Sequence, residues 1–182
     1  MQKHRIQIED LEGRHPGLTP GIALAYREAA EVCLARHHSS PTDLSIEHKS
    51  QVTGVAEWNP PDARTKRGWA NETDATEAGA YCVALATIEV TGELVAISRA
   101  ETRTGADYYI APKGTQPTDL EAAYRLEVSG IDEGDASSVK TRLNQKIKQA
   151  LRGRSSLPAI AAVVAFSSAN VAIADAVQVE QK

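Results

Sequence analysis

Apolar residues recur at helical spacing after Thr19-Pro20: Ile22, Ala25, Tyr26, Ala29, Ala30, Cys33 and Leu34. Threonine suits the N-cap and proline the first helical position, so this stretch predicts a helix over about 20–36 with one buried stripe. Ser39-Ser40-Pro41 stops it. A second helix is expected after Asn71, a good N-cap, with acidic Glu72, Asp74 and Glu77 in the first turns, where the helix dipole favours them. Its inward positions are small (Ala75, Ala78, Gly79, Ala80, Cys82, Val83 and Ala86), so it can lie very close to a sheet, and Gly79 marks a close approach. After Gly92 the period shortens. Residues 93–99, 107–110 and 123–129 read as three strands joined by turn-like links at Thr104-Gly105 and Pro112-Lys113-Gly114. Asp135 or Ser137 then caps a helix whose stripe is Val139, Leu143, Ile147 and Leu151, ended by Gly153. The run from Pro158 to Phe166 is apolar throughout, as in a strand buried on both faces.

From residue 72 the order is therefore helix, three strands, helix, strand. The three strands are close enough in sequence to form a meander, and the last, arriving through a helix, is expected to lie parallel to a neighbour. The expected fold class is α/β, a mixed β-sheet flanked by helices, with an N-terminal helical extension. The expected division is 1–69 for the extension, packed on the core, and 70–182 for the core. Less is legible elsewhere. Residues 1–18 read as a polar leader, Leu44 to Lys49 as a short strand, and 170–179 as a helix or an edge strand. Arg64, Lys66 and Arg67 before Trp69 form a basic cluster that suits a solvated loop better than a nucleic-acid contact.

Composition narrows the class. The chain has 182 residues, 42% hydrophobic and 24% charged, which excludes a disordered tail or a collagen-like chain. Aromatics are only 4%, so the core must be built from Ala, Val, Leu and Ile. Cys33 and Cys82 sit in apolar helical stretches and read as buried free thiols; no Cys-x-x-Cys pair offers a zinc site. His37 and His38 read as a solvated helix end. No secretory signal is visible and no apolar run is long enough to span a bilayer, so the expected location is cytoplasmic, with no membrane partner.

Two carboxylates stand out by position. Asp107 opens the second strand, in Gly-Ala-Asp-Tyr-Tyr-Ile, and Glu127 lies in the third, in Tyr-Arg-Leu-Glu-Val-Ser-Gly. Strand side chains alternate, so Arg125, Glu127 and Ser129 share one face. If the two strands pair, both carboxylates converge and can hold a hard cation such as Mg²⁺, which needs few protein ligands. With that element order, the Gly-Ala-Asp and Leu-Glu-Val pieces resemble the core motif of the PD-(D/E)xK restriction-endonuclease-like superfamily, over roughly residues 70–168. The resemblance implies an αβββαβ core, Mg²⁺-dependent phosphodiester hydrolysis of nucleic acid, and a further acidic residue on the preceding helix, where Glu77 matches best and Glu72 second. It also implies a lysine two residues after the glutamate, where this chain has Ser129. Serine cannot supply that charge. Lys113, in the loop after the second strand, is a candidate substitute; Arg125, on the correct face, cannot act as a base at neutral pH. The departure opens an alternative: a catalytically inactive nuclease-fold subunit or adaptor in a multi-protein complex, by analogy one of bacterial antiviral defence or a mobile element.

The formal net charge of −4 hides a split. Residues 136–182 hold 7 basic and 2 acidic residues, +5, which leaves −9 for residues 1–135. The positive excess sits on the helix from 137: Lys140, Arg142, Lys146 and Lys148, followed by Arg152 and Arg154, with no acidic residue among them. Such a face fits solvent, nucleic-acid phosphates or an acidic protein partner. The Ala-rich helices, and the helix at 20–36 above all, offer a surface for a protein partner or a second copy of the chain. No nucleophile elbow, phosphate loop or zinc-protease motif is present to suggest a small-molecule hydrolase.

Overall fold

The expected helices form where their caps stand. In the computed structural model, which describes residues 3–176, α1 spans Pro20–His37 with the Thr19 hydroxyl accepting from the Ile22 N–H. The short helix α2, Ala63–Gly68, is capped by Asp62, whose carboxylate accepts from the Thr65 N–H. Helix α3 spans Glu72–Gly92, and the Asn71 amide oxygen accepts from the N–H groups of Thr73 and Asp74. Helix α4 spans Ala136–Arg152, capped by Asp135. The basic cluster at Arg64, Lys66 and Arg67 is thus helical, not a loop.

The strands are β1 (His4–Ile6), β2 (Thr42–His48), β3 (Ser50–Ala56), β4 (Leu94–Arg99), β5 (Tyr108–Pro112), β6 (Tyr124–Ile131), β7 (Ala159–Ala165) and β8 (Asn170–Ala176). They form a single mixed eight-stranded sheet in the order β1-β3-β2-β8-β7-β6-β5-β4. β4, β5 and β6 form the antiparallel meander, and β7 returns through α4 to lie parallel to β6. α1 and α3 cover one face, where Leu126, Val128, Ile160, Ala162 and Val164 meet them. α4 covers the other, with Val139 against Val163, Ala165 and Ala172. Of the expected stripe on α4, only Val139 is fully buried; Leu143, Ile147 and Leu151 are half-buried, and Ala150 completes the contact. Among the described residues no helix is long and apolar enough to cross a membrane.

The N-terminal part departs most from its sequence reading. Residues 4–56 add three strands to the same sheet. Residues 1–18 do not form a polar leader where they are described: Ile6, Ile8, Leu11 and Leu18 are all buried. β2 and β3 are a tight hairpin turning at Lys49, whose φ is 55°. β8 is neither a helix nor an edge strand; it lies between β7 and β2. Residues 177–179 of that expected element fall outside the described ones. Nor are His37 and His38 a solvated end. His37 Nε2 lies 3.2 Å from Asp132 Oδ1 and His38 Nε2 lies 2.7 Å from the Phe166 carbonyl, tying the end of α1 to the ends of β6 and β7. Cys33 and Cys82 are buried free thiols, as expected. The close approach at Gly79 is real but faces α1: a Cβ there would lie 3.0 Å from the Ala30 backbone.

One strand edge is guarded by the N-terminal segment. The Gly17 N–H donates to the Ala96 carbonyl of β4 at 2.9 Å, and the Ala96 N–H donates to His15 Nδ1 at 3.0 Å. These bonds occupy edge groups that would otherwise invite another strand. Because Nδ1 accepts, the neutral His15 ring carries its proton on Nε2, which faces Glu89 Oε2 at 3.4 Å. Burial pulls the His15 pKa down to about 4, against the partial opposition of Glu89. The folded state therefore holds His15 neutral where the unfolded chain takes up a proton. Its contribution is fully present above about pH 6.5 and is lost as the pH falls through 4, up to about 3 kcal/mol. Urea unfolding between pH 7 and pH 4 is expected to show that loss, and the His15→Gln variant is expected to start less stable and lose less over the same window.

Candidate active site at the fork between two strands

β5 pairs with β6 only from Tyr108 to Ile110, opposite Leu126 to Tyr124. Just before β5, Asp107 continues the ladder by other means. Its N–H donates to the Leu126 carbonyl at 2.7 Å, and its Oδ2 accepts the Val128 N–H at 2.8 Å. Beyond Val128, β6 runs on beside β7 while β5 is no longer paired to it. The fork opens a cleft of about 480 Å³ lined by Glu72 and Glu77 of α3, Ser129 and Asp132 from the β6 side, and Arg142 and Lys146 of α4.

Asp107 is held from the α3 side as well. The Tyr81 hydroxyl donates to Oδ1 at 2.8 Å, and Arg99 Nη2 lies 3.7 Å from the same oxygen. Burial, reinforced by the Asp107 charge, pushes the Tyr81 pKa well above the ordinary range, so the phenol stays a donor. Glu77 stands one turn before Tyr81 on α3 and lines the cleft.

Glu127 points to the opposite face, toward α4. Lys146 Nζ donates to Glu127 Oε1 at 2.7 Å, and Gln149 Nε2 donates to the same oxygen at 2.7 Å. The pair is well shielded, with side-chain exposures of 4% for Glu127 and 18% for Lys146. Burial raises the Glu127 pKa above the usual carboxylate value; the Lys146 ammonium opposes that rise, and the negative charge of Asp107 adds to it. The two carboxylates therefore feel each other across the β5–β6 pairing.

Asp107 and Glu127 thus stand on adjacent chain segments at the fork, and Glu77 lines the cleft beside it without a recorded contact to either. It does not bring Lys113 there. Lys113 follows the far end of β5, roughly 20 Å of strand from Asp107, and lines a separate cavity with Arg5, Arg14 and Glu93. Arg125 is also committed elsewhere: its buried guanidinium donates to the carbonyls of Leu157, Thr104 and Ala150, the last at the end of α4. Ser129 lines the cleft, and the ammonium beside Glu127 comes from α4. Sequence reading placed Lys146 among phosphate contacts. The signal for its other role was its register, three residues after Leu143 and four before Ala150, at the border of the buried stripe. Of the other basic residues on α4, Arg142 shares the cleft with Lys146. Lys140 and Lys148 are each roughly 200° around the helix from Arg142 and Lys146 respectively, and face away from the cleft.

Among the described residues no cluster of three or more His, Cys, Asp or Glu forms a ready metal cage. Carboxylates are the donor class a hydrated hard cation takes; the recorded bonds of Glu127 engage Oε1 alone, whereas both oxygens of Asp107 already accept hydrogen bonds. Comparison with protein-family models, curated proteins and solved structures found no match.

Removing one half of a shielded ion pair leaves the other charge uncompensated. Lys146→Met is expected to cost about 3 kcal/mol in urea unfolding at pH 7. The deficit should shrink as the pH falls and Glu127, whose pKa is raised by burial, takes up a proton, and Glu127→Leu in the same chain should restore much of the stability.

Proposed function

We propose that this chain is a Mg²⁺-dependent phosphodiesterase acting on nucleic acid. Asp107 and Glu127 hold the cation, Glu77 is the third acidic group, and Lys146 supplies the positive charge that Ser129 lacks. The observation that carries this reading is the Lys146 ammonium at 2.7 Å from Glu127, beside the charge of Asp107 and on the wall of the cleft that Glu77 shares. The run of helix, three antiparallel strands, helix and parallel strand supports a restriction-endonuclease-like core. The proposed setting is the cytoplasm, with a protein partner or a second copy of the chain as a further association.

Each residue has a role that follows from its surroundings. The Tyr81 hydroxyl and the Val128 N–H fix the Asp107 carboxylate from two sides, so little reorganisation is needed when a cation or phosphate arrives. Lys146 and Gln149 orient Glu127, and Lys146 brings positive charge to a cleft wall where a phosphate gathers negative charge. Bound Mg²⁺ would polarise a phosphoryl oxygen and make water a better nucleophile at neutral pH. Because burial raises the Glu127 pKa, its ionised form is reached at higher pH than for an exposed glutamate. Cation affinity and activity are therefore expected to climb with pH to a plateau reached later than for an exposed glutamate.

The test is cleavage of supercoiled plasmid, single-stranded DNA and RNA with Mg²⁺ or Mn²⁺. Asp107→Ala, Glu127→Ala and Lys146→Ala are each expected to reduce the rate by about 10²-fold or more. Undiminished cleavage by the two carboxylate variants would overturn the assignment. Absence of cleavage by the unaltered chain on every substrate would favour the subunit or adaptor reading, for which the one structural argument is that both Asp107 oxygens already accept protein hydrogen bonds.

A further inference from the structure

Arg99 ends β4 at the rim of the sheet where Asp107 begins β5's pairing. Its guanidinium carbon lies 4.8 Å from the ring centre of Tyr81 and 4.7 Å from that of Tyr108. Nη1 donates to the Tyr26 hydroxyl at 3.5 Å and Nη2 to the Tyr81 hydroxyl at 3.3 Å. The three tyrosines brace one another: Tyr26 stacks on Tyr81 at 5.1 Å, and the hydroxyls of Tyr26 and Tyr108 are 2.8 Å apart. Tyr81 and Tyr108 are buried, whereas the Arg99 side chain is 51% exposed.

This placement leaves Arg99 with unspent binding capacity. A guanidinium has five N–H donors. Two of them reach tyrosine hydroxyls, both at long range. The nearest carboxylate oxygen recorded for it, Asp107 Oδ1, is 3.7 Å away, beyond hydrogen-bond distance. The cation is thus held from one side by the tyrosines, open on the other, and ion-paired to Asp107 without a direct hydrogen bond, which leaves N–H donors for a further anion. A planar fork in that state matches two phosphate oxygens, and stacking lowers the entropy lost on binding.

Its location sets what it can reach. Arg99 stands on the α1/α3 side of the rim, with Tyr26, Tyr81 and Tyr108. Arg142 and Lys146 stand on the α4 side. Asp107 and Glu127 lie between the two groups. A linear polyanion crossing the rim would meet positive charge on both sides of the carboxylates, which a small phosphate ester could not bridge.

We infer that Arg99, fixed by the Tyr26–Tyr81–Tyr108 cluster, is a phosphate-binding residue that holds a nucleic-acid backbone phosphate flanking the Asp107–Glu127 site. The inference rests on the nucleic-acid reading of that site but not on its being catalytic. Lys140 and Lys148, which face away from the cleft, serve as the contrast.

The experiment measures fluorescence anisotropy of the full chain with a short labelled single-stranded DNA, in EDTA, over a range of salt. Arg99→Gln is expected to weaken binding by about tenfold and to lower the slope of log K against log salt by about 0.7, the loss of one phosphate contact. Arg99→Lys is expected to keep the slope and lose only part of the affinity, because the charge stays and the fork does not. It also serves where Arg99→Gln unfolds the cluster, with melting temperatures recorded for each variant. Lys148→Gln is expected to change binding less than Arg99→Gln. Where cleavage is observed, Arg99→Gln should raise KM more than it lowers kcat. Binding without cleavage, lost in Arg99→Gln, would sustain the inference and defeat only the catalytic reading. Unchanged affinity and slope in Arg99→Gln, or no binding by the unaltered chain, would overturn it.

Discussion

The constraint on which the rest depends is the burial of α3 from two sides. Twelve of its residues, from Ala75 to Ile88, are buried, with α1 packed on one flank and the sheet on the other. Large side chains would hold those layers apart, so the helix is built of Ala, Gly, Cys, Thr and Val at the contacts. Gly79 lets the Ala30 backbone of α1 approach, and Gly130 of β6 does the same for Thr76, whose carbonyl would collide with a Cβ at that position. The cost of glycine in the helix interior, about 1 kcal/mol, is offset by the contacts this closeness permits. Tyr81, Leu85 and Ile88 are the larger exceptions, and the size of Tyr81 carries its hydroxyl to Asp107.

A second consequence follows where the sheet forks. The strand edge beyond Val128 lacks β5, and the polar groups there have to be satisfied by other means. Asp107 does so with its own side chain, which receives the Val128 N–H as a strand carbonyl would. The same geometry fixes one carboxylate beside another. Glu127, sunk under α4, is not left as an isolated buried charge because Lys146 meets it. An ion pair of this kind contributes little net stability and a great deal of position. Both features make the rim a polar site held by an apolar body, with Arg99 added on one side by cation–π contact.

Legibility along the chain varied with how local the deciding physics was. The caps Thr19, Asn71 and Asp135 and the meander from Leu94 to Ile131 were readable because each depends on neighbours in sequence. The hairpin of β2 and β3 was half seen: its turn is one residue, Lys49, in a left-handed conformation that carries no Gly, Asn or Asp to announce it. β8 has the length and the small residues of an edge strand, yet β2 closes on its outer side. The N-terminal segment looked polar because its apolar residues, Ile6, Ile8, Leu11 and Leu18, follow no single period. Lys113 looked available because it follows a strand carrying Asp107, but a strand's two ends are far apart.

By itself the amino-acid order determined the α/β class, the three long helices, the central strands and the carboxylates Asp107 and Glu127, since periodicity, caps and strand alternation act over a few residues. Tertiary structure alone decided which groups surround those carboxylates. Lys146 is 19 residues from Glu127 and Tyr81 is 26 from Asp107; Arg99 meets a tyrosine 73 residues away. Such distances are spanned by the packing of α3 and α4 on opposite faces of one sheet, and helical or strand periodicity does not encode which side chains then meet. Position 129 on the strand is a serine, and the ammonium beside Glu127 comes from Lys146 on the helix above.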